Sequence, residues 1–229
     1  MPRHDARIQE AEAHLEAGRP AQAAQALREV VALKPATAEA LFRLSRVLAE
    51  AGEVDGALDA LDRAIAGRPG HMPYLTARAD FLLAAGRTDE AVAALRRVTE
   101  VVPDALLPYR RLGVALMRLG RLPEAADAYR RAVSLAPADV ASLLGLGGVL
   151  AAQGRPREAA ACYQQAAVAD PYDPRAHTAL ATVLQAEGRT ADAAAALRQA
   201  LSLDPGNADL EGRLAGLGSG DGGGVTDAA

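Results

Sequence analysis

Glu10 and His14 stand four residues apart, a spacing that places two side chains on one face of a helix. A carboxylate and an imidazole so placed are two of the ligands a divalent zinc ion takes. The same spacing recurs downstream as Leu44 and Leu48, then as Leu112 and Leu116. The polar pair is therefore read as the outer face of a first helix that nothing precedes, and no metal is expected. The other histidines, His4, His71 and His177, are scattered along the chain and form no constellation. Cys162 is the only cysteine, which rules out an internal disulfide and a multi-cysteine metal site. A reactive thiol needs basic neighbours, so Cys162 is read as a small, buried or half-buried apolar residue. The chain has no glycine-rich phosphate loop, no GxSxG and no HExxH. The expectation is a protein with no catalytic residue and no cofactor.

The elements that would position any site must come from an unusual composition. Of the 229 residues, 50% are apolar, yet aromatics make up 3% and Trp is absent. A core without rings must gain density from helices that approach closely on Ala and Leu. The net charge of −4 and pI near 5.6 argue against a nucleic-acid partner and against an anionic membrane surface. Residues 1–7 lack the apolar core of a secretory signal, and no stretch is long and apolar enough to span a membrane. A cytoplasmic location is expected. The pairs Arg96-Arg97, Arg110-Arg111 and Arg130-Arg131 read as solvated helix faces.

Periodicity organises the chain. Gly18, Gly52, Gly86, Gly120, Gly154 and Gly188 are spaced by 34 residues. Pro35, Pro69, Pro103, Pro137, Pro171 and Pro205 follow at the same interval, each 17 after its glycine. Ala23, Ala57, Ala91, Ala125, Ala159 and Ala193 run in phase. Before each glycine, apolar residues at steps of three and four predict a helix. The glycine suits the left-handed turn that closes it. A second helix follows at once, opened by Pro20 or Pro156 at its first position, and capped by Thr88 or Thr190 elsewhere. It stops at the column proline. Asp139, Asp173 and Asn207 then cap the next first helix.

Two columns predict the packing. Ala11, Ser45, Ala79, Gly113, Gly147 and Ala181 face the second-helix alanines, bringing paired helices towards the short end of the usual spacing. Leu27, Leu61, Leu95, Tyr129, Tyr163 and Leu197 fill around them. Each hairpin needs neighbours to bury its apolar face. Arg78 replaces Leu in an otherwise apolar column, its stem packing while its head reaches water or an acid.

The 34-residue helix–turn–helix unit, the small-residue pair and the terminal proline resemble the tetratricopeptide repeat family. The repeats fall at 4–37, 38–71, 72–105, 106–139, 140–173 and 174–207. Leu210, Leu214 and Leu217 of a capping helix at 208–217 cover the last one, which completes an array over 1–217. A Gly-rich tail at 218–229 is expected to be disordered. The resemblance implies an all-α fold, an α-solenoid coiled as a right-handed superhelix of six tandem repeats. First helices would line its concave face. That face would offer Glu39, Phe42, Arg43, Arg46 and Glu50; then Thr76, Asp80 and Leu83; then Leu107, Arg110, Arg111, Val114 and Met117. Leu144, Gly145 and Gly148 follow, and finally Arg175, Thr178, Thr182 and Gln185. Exposed apolar groups here need a cover, the arginines suit carboxylates of a peptide, and the glycines allow close backbone approach.

Taken singly, each of these reads as ordinary surface; the cluster from Phe42 to Leu144 reads as a binding face. The family's carboxylate clamp is missing: Ile8 and Glu12, Phe42 and Arg46, and Pro73 and Ala77 stand at its columns. The Asn ladder of some glycosyltransferase-linked arrays is missing too, its column reading Gln9, Arg43, Ala77, Arg111, Gly145, Ala179. The resemblance thus implies a non-catalytic adaptor or scaffold that binds another protein or a peptide segment. The alternatives are a regulatory or substrate-recruiting subunit of a separate enzyme, such as a glycosyltransferase system, and an array that self-assembles through its ends into a homo-oligomer.

Overall fold

The computed structural model of the chain describes residues 2–32 and 37–219. Among them are thirteen helices and no strand. The expected tail from residue 220 on, Pro35 of the proline column and the side chain of His4 lie outside the described residues. No described helix is long and apolar enough to cross a membrane.

The helices pair as hairpins: α1 (Pro2–Glu16) with α2 (Pro20–Ala32), α3 (Ala38–Glu50) with α4 (Val54–Gly67), and α5 (Met72–Ala84) with α6 (Thr88–Val101). These make one compact unit, Met1–Pro103. A second unit, Asp104–Ala229, holds α7 (Leu106–Arg118) with α8 (Leu122–Leu135), α9 (Val140–Ala152) with α10 (Pro156–Ala169), α11 (Pro174–Ala186) with α12 (Thr190–Leu203), and α13 (Ala208–Ser219). Each unit is an all-α stack of helical hairpins, the architecture of an α-solenoid. The last helix extends two residues into the segment expected to be tail, through Ser219.

One hydrogen-bond pattern makes every intra-hairpin turn. Gly52, Gly86 and their equivalents have φ between +67° and +80°, a conformation that only glycine adopts without strain. The residue after each glycine donates its N–H back across the turn: Glu53 to Leu48 O at 2.8 Å, Arg87 to Leu82 O, Arg121 to Leu116 O and Arg155 to Leu150 O at 2.9 Å. That residue is at once the last bonded group of the first helix and the N-cap of the second. No linker is left over. It also displaces Thr88 and Thr190 from the capping role expected of them: both are first helical residues, and Arg87 and Arg189 hold the cap positions. These arginines bind an acid three residues on instead. Arg87 grips Glu90 at 2.6 and 2.8 Å, and Arg121–Glu124, Arg155–Glu158 and Arg189–Asp192 repeat the arrangement.

The prolines end the second helices from a distance. Steric clash with a proline ring pushes the preceding residue out of the helical region. Arg68, Val102, Ala136, Asp170 and Asp204 each precede a column proline and sit at φ −147° to −132°, ψ 73° to 96°. First helices are then capped by Asp139, which accepts from Ser142 N at 2.9 Å, Asp173 from Arg175 N at 2.9 Å, and Asn207 from Leu210 N at 3.3 Å. Thr37 does the same for α3, accepting from Ala40 N at 3.1 Å.

Ala23, Ala57, Ala91, Ala125, Ala159 and Ala193 are fully buried, as are Ser45, Ala79 and Ala181 of the facing column. Leu61, Leu95 and Leu197 are fully buried beside them, each contributing about 1.5–3 kcal/mol relative to exposure. Leu210 is buried against Ala181, Ala196, Leu197 and Ala200, with Leu214 and Leu217 alongside, so α13 covers the last hairpin.

Candidate functional site

The first unit contains a cleft of about 350 Å³ between α1 and α3, with the α2 residue Leu27 at its base. Ile8 and Leu15, seven residues apart on α1, form one wall. Phe42 and Val47 of α3 form the other, over Ala11. Polar groups rim it: Glu12 from α1, and Glu39, Arg43, Arg46 and Glu50 from α3. α3 turns a buried stripe, Leu41, Leu44, Val47 and Leu48, into the core and sets its polar residues, Glu39, Arg43, Arg46 and Glu50, along the edge that borders the cleft.

The rim charges are not equivalent. The Arg43 guanidinium bonds Glu12 at 2.8 Å and Glu39 at 3.1 Å, tying α3 to α1. Arg46 is exposed on the same helix and lines the cleft next to Glu50. Phe42 was expected to need a cover. It is half-buried in the core of the unit, its ring 4.8 Å from that of the fully buried Tyr74, whose hydroxyl donates to Glu39 at 3.4 Å. The ring of His71, the N-cap of α5, has its centroid 4.0 Å from that of Tyr74. Of the anticipated face in this unit, the cleft brings Phe42, Arg43 and Arg46 together. Asp80 is half-buried on α5 and does not line it. The α1 wall was overlooked by starting the face at α3, although the Ile8–Leu15 spacing marks it.

In the second unit, several arginines serve the fold. Arg110 reaches from α7 to the N-cap of α9, its Nη1 3.1 and 3.3 Å from the two Asp139 oxygens. Burial would raise the Asp139 carboxyl. The Ser142 hydroxyl and N–H, with Arg110, outweigh it and hold the group below its ordinary range. Arg175 clasps the Asp173 cap through Nε and Nη2 at 2.7–3.0 Å and keeps that carboxyl low against its burial. Thr178 donates to Pro174 O, Thr182 to Thr178 O, and Arg213 of α13 binds Thr182 Oγ1 and Gln185 Oε1. On α7, Leu107, Val114 and Met117 are 40%, 39% and 37% exposed, with Arg111 half-buried between them. Leu144 and Gly148 are half-buried on α9. Gly145 does not offer its backbone to a ligand as expected: the Tyr129 ring occupies the space in front of it.

Of the two residues that open the chain's candidate chemistry, Glu10 is held in an ion pair and the buried His14 Nδ1 has no hydrogen-bond partner among the described residues. Arg7 binds Glu10 at 2.6 Å and Glu29 at 2.9 Å. Burial, reinforced by Glu158, pushes the Cys162 thiol up and so suppresses the thiolate, although Arg130 pulls the other way. Arg78 binds Asp62 at 2.6 Å, which accounts for a charge in an apolar column.

A tetratricopeptide-repeat family profile matches residues 8–71, 76–140 and 144–208. No curated protein matches the chain. Among solved structures, MamA superposes with a TM-score of 0.69 at 20% identity, over 75% of this chain and 94% of MamA. "MamA MSR-1 C2" gives 0.61 at 27% identity, over 75% and 98%. YrrB, described as a tetratricopeptide-repeat protein with an unusual peptide-binding site, gives 0.67 at 18% identity, over 83% and 98%.

Proposed function

Because this chain belongs to the tetratricopeptide repeat family, we propose that it is a non-catalytic interaction adaptor that holds a peptide segment of another protein, anchored in the α1/α3 cleft. The observation that carries this reading is the cleft's construction: apolar walls of Ile8, Leu15, Phe42 and Val47 beneath a charged rim. Apolar walls supply affinity by excluding water, and rim charges set register and partner choice. With Arg43 already shared by Glu12 and Glu39, Arg46 and Glu50 are left to select the ligand. The fitting segment presents an apolar side chain flanked by an acid towards Arg46 and a base or amide towards Glu50. The peptide-binding site named for YrrB supports such use of the fold.

Selection from a displayed random-peptide library tests the reading. Recovered peptides should share that apolar anchor and bind Phe42→Ala or Arg46→Glu protein at least about tenfold more weakly, as for loss of an anchor residue. Peptides that bind both variants as tightly as the parent chain would place the site elsewhere.

A further inference from the structure

The second helices offer six versions of one outward face, and that of α10 departs from the rest. The column Arg28, Asp62, Arg96, Arg130, Gln164, Arg198 is charged everywhere except at Gln164. The adjacent column, Glu29, Arg63, Arg97, Arg131, Gln165, Gln199, loses its charge at Gln165 too. Ala161 and Val168 complete the exposed stripe, and Val168 is 81% exposed. In the following turn Tyr172 is 83% exposed, at a position held by Gly70, Asp104, Ala138 and Gly206 in other repeats. A shallow depression of about 580 Å³ lies between this helix and the α8–α9 turn. One repeat has thus exchanged its charges for amides and apolar groups, and added an exposed ring.

We propose that this face is a self-association surface, whose partner is a second copy of the chain packed antiparallel, α10 against α10. A two-fold contact sets each residue type against itself or a near neighbour. Arginine or aspartate across such an axis repels. Glutamine carries both a donor and an acceptor, so Gln164 and Gln165 of one copy complement those of the other. With the axis between them, Ala161 meets Val168 of the second copy, and Arg157 meets its Tyr172. Arg157 is 94% exposed, with only a 3.7 Å approach to Glu187, and is free to lie over that ring. The flanking guanidiniums of Arg130 and Arg131 are neutralised by Asp127 and Asp104 and oppose the contact little. One face of a 14-residue helix, about 21 Å long, buries roughly 200–400 Å² per copy, less than the ~800 Å² of a standard interface. The dimer is therefore weak and reversible. This surface is independent of the α1/α3 cleft.

Sedimentation velocity of the full chain, up to roughly 1 mM, tests it. A reversible monomer–dimer equilibrium is expected. Gln164→Arg restores the residue that four other repeats carry, so it leaves the fold intact, as circular dichroism would verify. It should weaken the dimer by more than about tenfold through like charges across the axis. Tyr172→Gly should weaken it as well, and Arg46→Glu should leave it unchanged. A chain that stays monomeric throughout, or a dimer that Gln164→Arg does not affect, overturns the proposal.

Discussion

A Cβ added to Gly113 would stand 2.7 Å from the ring of Tyr129, closer than side chains pack. The neighbouring hairpin repeats the relationship, with the Tyr163 ring against Gly147. In the remaining hairpins the ring position holds Leu and the facing position Ala or Ser. Large-with-glycine and medium-with-alanine are two volume-matched solutions to one packing site.

The match predicts a sign reversal. Gly113→Ala should destabilise the chain by about 1–3 kcal/mol through overpacking, although alanine is the better helix former. Combining it with Tyr129→Leu recreates the pair of the other hairpins and should recover part of the loss, with a coupling of about 1 kcal/mol or more in a double-mutant cycle. Denaturant unfolding of the four proteins measures this; strictly additive effects would refute the volume match.

Glycines with room around them should behave oppositely. Nothing lies within 4 Å of a Cβ at Gly212, and the nearest atom to one at Gly56 is 3.5 Å away. Both are helical, without the positive φ of the turn glycines. Gly56→Ala and Gly212→Ala should each stabilise by about 0.5–1 kcal/mol, read from the same unfolding curves.

Arg46→Glu and Arg110→Glu should separate binding from folding. Arg46 lines the cleft and is exposed, so its reversal should leave the thermal midpoint within experimental error. Reversing Arg110 sets a carboxylate against the Asp139 cap of α9. It should cost about 1–2 kcal/mol, since the pair is partly exposed. Equal melting temperatures for the two variants would count against the capping role of Arg110.

Acid should weaken the second unit through its caps. The Asp139 and Asp173 carboxyls sit below their ordinary range in the folded chain. Such groups stabilise above their unfolded pKa, and the contribution is lost as pH falls through the folded one. Asp139→Asn and Asp173→Asn should therefore be less stable at neutral pH, yet lose less on acidification. Urea midpoints from pH 7 to about pH 3 would show converging curves; parallel curves would deny the caps this role.

Much of the architecture could be read from the chain because it rests on local rules. A positive-φ glycine, a hydrogen bond spanning five residues and a proline acting on its predecessor all operate within one repeat. The spacing of Gly52, Ala57 and Pro69 thus sets where the paired helices begin and end; the N-cap of the second helix and the end of α13 are the local errors. Thr88 looked like the cap because its hydroxyl type favours that position, while the backbone turn had already assigned it to Arg87.

The candidate site was less legible, since availability of a charge depends on residues far away in sequence. Arg43, Arg46 and Arg110 look alike as letters on first helices. Only packing showed that Glu12 and Glu39 share Arg43, that Asp139 takes Arg110, and that Arg46 is left at the cleft. Likewise the sequence by itself determined that residues 113 and 145 are glycine and 129 is tyrosine. Their meeting at one point was decided by the tertiary structure, because side-chain volume is shared between helices that the local periodicity positions but does not fill.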